Sequence, residues 1–257
     1  RWPGRALLAH APDPAARLGA RLVVVATGHG APEVEAAMAA PAAGGTLQFA
    51  RQEPQLGTGH AVQRAMPLLP DDGTVLVLSG DVPLIAEDTL RALIAASAGG
   101  RLALLTIEFA DPTGYGRIVR AEAGGEVRAI VEQKDASEDQ RAIREVYSGM
   151  MAVPAALLKG WLARLDNRNA QGEYYLTDIV KFAAADGVPV VAHVTADALQ
   201  VAGINSPAQL AALERAWQLR QADALMAQGV RLADPARFDL RGTLACGTDV
   251  EIDVNCV

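Results

Sequence analysis

Three short segments combine residue types that could handle a phosphorylated substrate. The first is Gln52-Glu53-Pro54-Gln55-Leu56-Gly57-Thr58-Gly59-His60-Ala61. Its glycines allow close approach of backbone to a ligand, and the start of a following helix offers unpaired N–H groups. Thr58 suits the N-cap of that helix, and a capped helix with a flexible entry is the plainer reading of the same residues. No Lys-Ser/Thr follows, so this is not a Walker loop, and Gly28-His29-Gly30 lacks the third glycine of a dinucleotide fingerprint. The second segment is Leu78-Ser79-Gly80-Asp81-Val82-Pro83-Leu84. A carboxylate just after an apolar strand lands at the strand's carboxyl edge, and one Asp with open coordination positions is a common way to hold Mg²⁺ on a nucleotide. Asp81 could equally serve a tight turn before Pro83. The third is Val201-Ala202-Gly203-Ile204-Asn205, where Asn205 could lend its carbonyl oxygen to a metal or cap the helix that follows.

The elements that must position these residues alternate. Strands are expected at residues 22–26, 46–50 and 74–78, and helices at 31–40, 57–69 and 87–98. Uninterrupted apolar strands between helices predict a doubly wound α/β domain with a parallel, Rossmann-like sheet, which binds ligands at the carboxyl ends of its strands. Residues 116–120 and 126–131, joined across Gly124-Gly125, predict a β-hairpin. A strand at 149–153, helices at 155–165 and 172–185, and short strands around Val190 and Val201 follow. Leu210, Leu213, Trp217, Ala222 and Leu225 mark a long helix over 207–228, with Gly229 at its expected stop. Beyond it, Leu240, Cys246 and Ile252 stand six apart, the spacing of a hexapeptide β-helix, although an ordinary alternating strand would fit as well.

Composition narrows the function classes. A net charge of −7 argues against non-specific nucleic-acid binding, which needs a basic footprint. It leaves a nucleotide substrate open, provided a metal and a few basic groups neutralise the phosphates. No apolar run is long enough to span a bilayer. Two cysteines make no disulfide framework, and the four histidines have no metal-ligand spacing. A reduced, cytoplasmic compartment is expected. The opening Arg1-Trp2-Pro3-Gly4-Arg5, without Met or signal peptide, reads as a trimmed start.

Three further strings are distinctive: residues 111–118 (DPTGYGRI), 130–135 (IVEQKD) and 169–178 (NAQGEYYLTD). Alone, each admits a plainer reading, as a turn at Gly114-Tyr115-Gly116, a solvated Glu132 or a core Tyr175. Together with 55–61 (QLGTGHA), 80–84 (GDVPL) and 234–243 (DPARFDLRGT), in this order, they resemble the bifunctional N-acetylglucosamine-1-phosphate uridyltransferase/glucosamine-1-phosphate acetyltransferases over nearly the whole chain. The resemblance implies formation of UDP-N-acetylglucosamine and pyrophosphate from UTP and N-acetylglucosamine 1-phosphate. In the full-length family it also implies acetyl transfer from acetyl-CoA and a homotrimer.

Residue by residue, the resemblance implies that Gln52, Gly57 and Thr58 contact uracil. It implies that Asp81 and Asn205 hold Mg²⁺, with Ser79 and Gly80 beside them facing the substrate. Gly116, Glu132, Tyr175 and Thr177 would surround the sugar. It divides the chain into a nucleotidyltransferase domain at 1–205, a helical arm at 206–229 and the start of a left-handed β-helix at 230–257. Two substitutions depart from the family pattern. Tyr147 stands where the family has an Asn that touches the sugar, and Ser79 where Tyr is frequent. The family's first strand and its glycine-rich loop ending Gly-Thr-Arg-Met precede the sequence aligned here. Slow turnover and a monomer are therefore expected of this stretch, with a non-catalytic UDP-sugar-binding or interaction module as the alternative.

Overall fold

The structure is a computed structural model that describes residues 17–38, 46–122 and 124–254. The opening residues with His10, the end of the helix expected to reach residue 40, and Cys256 lie outside them. The chain runs β1 (Leu22–Thr27), α1 (Ala31–Met38), β2 (Thr46–Arg51), α2 (Thr58–Ala65), β3 (Thr74–Val77), α3 (Glu87–Ala96) and β4 (Leu102–Glu108). The hairpin β5 (Arg117–Arg120) and β6 (Val127–Val131) follows, then α4 (Glu138–Arg141), the ten-residue β7 (Glu145–Pro154) and α5 (Ala155–Leu162). A 3₁₀ turn, Leu176–Asp178, leads into α6 (Ile179–Ala185), followed by β8 (Val190–Val194), α7 (Pro207–Ala227), β9 (Arg231–Leu232) and β10 (Glu251–Ile252).

The sheet is mixed, which corrects the expectation of a parallel one. Its order is β6-β5-β7-β4-β8, with β3 also paired to β7. Strand β7 runs antiparallel to β3, β4 and β5, while β4 and β8 are parallel. Strands β1 and β2 are parallel, from Leu22 opposite Thr46 to Thr27 opposite Arg51, and form a separate two-stranded sheet among the described residues. An apolar strand reports that both faces are covered; it carries no information about direction.

Strand β4 shows how that covering works. Every residue from Leu102 to Ile107 is buried. Leu102 and Leu104 pack with Trp161, Leu162 and Ile179 on one face, whereas Ala103, Leu105 and Ile107 pack with Leu90 and Leu93 of α3 on the other. This is the two-residue side-chain period of a strand between two helical layers. Sequence reasoning did not anticipate β4, because a short Leu/Ala run cannot be told from a buried helix by periodicity alone. The strand expected around Val201 is instead a 3₁₀ turn, Ala198–Val201.

One edge of β7 serves two strands. Val146 faces Arg117 of β5, and Met151–Pro154 pair with β3. Between them Gly149 adopts a φ of 88°, which suits glycine alone. Helix α7 is capped by Ser206, whose side chain accepts from the Gln209 N–H, and it begins with Pro207. Gly229, at φ 95°, ends it as expected. The chain then returns beside itself, Ile252 pairing in parallel with Leu232. Buried Gln218 of α7 holds this segment. Its side chain accepts from the Leu240 N–H at 2.7 Å and donates to Asp239 Oδ1 at 2.8 Å. Among the described residues, no helix is long and apolar enough to cross a membrane.

Candidate functional site

The interval on β7 between its β5 and β3 partners is where the motif residues converge. Ser79 and Asp81 leave the carboxyl end of β3, Glu132 leaves that of β6, and Gly116 precedes β5, which starts at the same edge because it runs opposite to β6. Ser79 Oγ donates to the Gly149 carbonyl at 3.3 Å, and a Cβ on Gly149 would lie 2.4 Å from that hydroxyl. A break in strand pairing at strand ends is where open α/β sheets place ligands.

Asp81 and Asn205 are brought together across Gly203. The Ile204 N–H donates to the Asp81 carbonyl at 3.1 Å, fastening the exit of β3 to the approach to α7. A Cβ on Gly203 would fall 3.1 Å from Asp81 Oδ2 and 3.8 Å from Asn205 Nδ2, so both side chains border the space its hydrogen leaves open. The capping expectation for Asn205 is corrected: Ser206 is the cap, and the Asn205 backbone N–H donates to Gln209 Oε1 at 2.7 Å. Its exposed amide is thus not used as the helix cap, and half a turn about its bond presents Oδ1. One carboxylate and one amide oxygen converging at Gly203 suit Mg²⁺, whose other positions are usually filled by phosphate and water. No group of three or more His, Cys, Asp or Glu among the described residues could hold a metal alone.

Gln52, Gly57 and Thr58 form a second group. The Gln52 side chain donates to the Gly57 carbonyl at 2.8 Å and its nitrogen lies 3.3 Å from His60 Nδ1. Gly57 is the N-cap of α2, at φ 101° and ψ 175°. Thr58 is therefore not the cap; its hydroxyl oxygen accepts from the Leu176 N–H at 3.1 Å. The Gly59 N–H donates to the Tyr174 carbonyl at 2.7 Å, and the Tyr174 N–H to that of Leu56 at 2.8 Å. A Cβ at Gly57 would meet the Tyr174 carbonyl oxygen at 2.8 Å. The glycines thus let two motif segments, 56–59 and 174–176, lie side by side.

That seam continues into the third group. Thr177 Oγ1, next to Leu176, donates to Glu132 Oε1 at 2.9 Å. A Cβ at Gly116 would lie 3.6 Å from either Glu132 carboxylate oxygen. The Gly116 carbonyl accepts from the Tyr147 N–H at 2.9 Å. Burial pushes the Glu132 carboxyl above its ordinary pKa; the Thr177 hydroxyl opposes this, and Asp135 and Asp178 reinforce it. Burial, then the nearby Glu132 charge, push the Tyr147 phenol upward. Tyr175 is raised chiefly by burial, and its hydroxyl accepts from Gln171 Nε2 at 2.9 Å.

Sequence reasoning missed Gly203, Gly149 and Arg117. A glycine in an extended segment signals close backbone approach, and Gly203 beside Asn205 carried that signal. Arg117 is 1% exposed; it donates to the Tyr115 carbonyl, to Gln133 Oε1 at 2.6 Å and to the Arg141 carbonyl at 3.4 Å. It thereby pins the turn that carries Gly116. Nothing in its string distinguishes this Arg from a solvated strand residue.

Residues 1–231 match the family of MobA-like NTP transferase domains. The chain is 69% identical over 267 residues to the bifunctional protein GlmU of Polaromonas sp., covering 99% of this chain and 56% of that protein. The namesake of Albidiferax ferrireducens is 71% identical over 257 residues, covering 99% of this chain and 55% of its own length. The chain thus spans about half the length of the curated relatives it matches. Among solved structures, UDP-glucose pyrophosphorylase complexed with UDP-glucose superposes with a TM-score of 0.58 at 16% identity, over 73% of this chain and 78% of that one. At that identity the likeness shows the fold alone.

Proposed function

The chain belongs to the family of MobA-like NTP transferase domains, and from that premise we propose that it carries the site at which UTP and N-acetylglucosamine 1-phosphate become UDP-N-acetylglucosamine and pyrophosphate. The observation that carries this reading is the convergence of the Asp81 and Asn205 side chains at Gly203, on the same sheet edge as the Glu132–Thr177 pair. The first supports a metal-dependent phosphate centre; the second supports a polar sugar subsite.

The sugar phosphate oxygen attacks the α-phosphorus of UTP in line, a new P–O bond forms, and the bond to the β-phosphate breaks with pyrophosphate as leaving group. The nucleophile is already anionic, so positioning and charge neutralisation carry most of the catalysis. Asp81 and Asn205 hold Mg²⁺, which when bound neutralises charge on the reacting phosphates. Gln52, Gly57 and Thr58 receive the uracil, the Gln52 amide oxygen being available to accept from its ring N–H. Ser79 and Gly80 line the turn between the two ends of the substrate. Gly116, Glu132, Tyr147, Tyr175 and Thr177 hold the sugar. Residues 206–229 form the arm and 230–257 begin a left-handed β-helix, a reading supported by the parallel pairing of Leu232 and Ile252.

A sugar-phosphate panel tests the proposal. Pyrophosphate release from UTP is followed with N-acetylglucosamine, glucosamine and glucose 1-phosphates, with Asp81→Ala as control. Slow release is expected with the acetylated sugar, and its loss in the variant. Preference for glucose or unacetylated glucosamine 1-phosphate would overturn the substrate assignment.

A further inference from the structure

Gln200 ties together the two segments that carry Asp81 and Asn205. Its Oε1 accepts from the Ala86 N–H at 3.1 Å and from the Thr89 hydroxyl at 2.7 Å, and its Nε2 donates to Asp197 Oδ2 at 3.2 Å. A backbone N–H can only donate, so the amide has one orientation. The other oxygen of Asp197 accepts from the Leu199 N–H and from the Arg220 guanidinium of α7. Ala86 is the N-cap of α3 and has no side chain with which to cap it. The acceptor comes instead from the 3₁₀ turn Ala198–Val201, 114 residues away.

Residues 81–86 and 200–205 are thus fastened at both ends. Gln200 holds Ala86 at one end, and the Ile204 N–H holds the Asp81 carbonyl at 3.1 Å at the other. Between them Val201 shares a buried cluster with Val82 and Ile85, and Ala202 packs against Leu84. Apolar burial is non-directional, so these contacts resist parting of the segments more than sliding. The hydrogen bonds are what set the register. We propose that Gln200 is a positioning residue for the Mg²⁺ pair, fixing how the Asp81 segment lies along the Asn205 segment and so the relation of the carboxylate to the amide. Mg²⁺ demands near-ideal octahedral geometry, so a slide of one ligand past the other weakens its binding. This role rests on the proposed metal site and deepens it.

The test compares Gln200→Ala with the swapped pair Asp197→Asn/Gln200→Glu. The swap conserves net charge: a carboxylate at 200 accepts from Ala86 and Thr89, and an amide at 197 donates to it. Mg²⁺ is titrated into each chain at a fixed concentration of UDP-N-acetylglucosamine. In Gln200→Ala the half-saturating Mg²⁺ concentration is expected to rise about tenfold, the lower end for residues that orient metal ligands. The swapped pair should return it to the parent value. Amide exchange without metal or nucleotide gives a second readout, in which both the Ala86 and Ile204 N–H groups should exchange faster in Gln200→Ala. If that variant does not fold, Gln200→Glu alone takes its place. It sets two carboxylates against each other and should raise the Mg²⁺ requirement, although its added negative charge would by itself lower it. An unchanged Mg²⁺ requirement, or faster exchange confined to Ala86, would reduce Gln200 to a cap of α3 and overturn the proposal. So would a swapped pair no better than the single variant. These results leave the metal site standing, whereas a parent whose binding does not respond to Mg²⁺ overturns the site and the role of Gln200 together.

Discussion

The Thr177 hydroxyl donates to Glu132 Oε1 at 2.9 Å, and that carboxyl is held above its ordinary pKa chiefly by burial. The fold therefore keeps a desolvated carboxylate whose stabilising partner is one hydroxyl on the segment sewn to the glycine-rich turn. Removing the partner exposes the burial cost. Thr177→Val should destabilise the protein by about 1.5–3 kcal/mol, the range for a hydrogen bond to a charged group. Chemical denaturation at neutral pH measures it.

Glu132 also makes stability depend on pH. A raised folded-state pKa means that the folded protein favours the protonated carboxyl. Its contribution is fully present below the unfolded value of about 4.3 and is lost as pH rises through the raised value. Glu132→Gln removes that loss. The variant should be at least as stable as the parent at neutral pH, with the difference shrinking on acidification to about pH 4. Parallel denaturation curves at the two pH values check this, and a parent that is the more stable at neutral pH would contradict it.

Gly57 lies at φ 101° and ψ 175°, a region open to glycine alone, with the Tyr174 carbonyl oxygen 2.8 Å from where a Cβ would sit. Gly57→Ala should cost about 1–3 kcal/mol from backbone strain before any clash is counted. It should also loosen the seam between residues 56–59 and 174–176, seen as faster amide exchange at Gly59 and Tyr174.

Gly203 differs, because its backbone needs no left-handed conformation. Gly203→Ala should leave stability nearly unchanged while pressing a methyl 3.1 Å from Asp81 Oδ2. Mg²⁺-dependent UDP-N-acetylglucosamine binding is expected to fall by about 10–100-fold, the usual effect of disturbing the orientation of a metal ligand. Titration at several Mg²⁺ concentrations reads it.

The parts of the fold legible in the sequence were those written in local chemistry. The hairpin across Gly124-Gly125, the long helix ending at Gly229 and the Gly-rich opening of α2 stand as expected. Strand direction was not legible, because burial of β7 on both faces looks the same whichever way its neighbours run. Thr58 and Asn205 were given capping readings from residue type alone, but the caps are Gly57 and Ser206. The reason is tertiary: Thr58 is engaged by Leu176, 118 residues away, and Ser206 is one residue nearer Pro207 than Asn205. The Ser79–Gly149 contact and the buried Arg117 likewise depend on partners distant in the chain. Juxtaposition of Asp81 with Asn205 was implied by the family resemblance alone, whereas Gly203 as the point where they meet needed the structure.

Calorimetric titration of the chain with UDP-N-acetylglucosamine and Mg²⁺, beside an Asp81→Ala control, tests the central claim most directly. The account predicts saturable binding by the parent that weakens strongly in the variant and on removal of Mg²⁺. A folded chain that does not bind, or binds equally well without the Asp81 carboxylate, would contradict it.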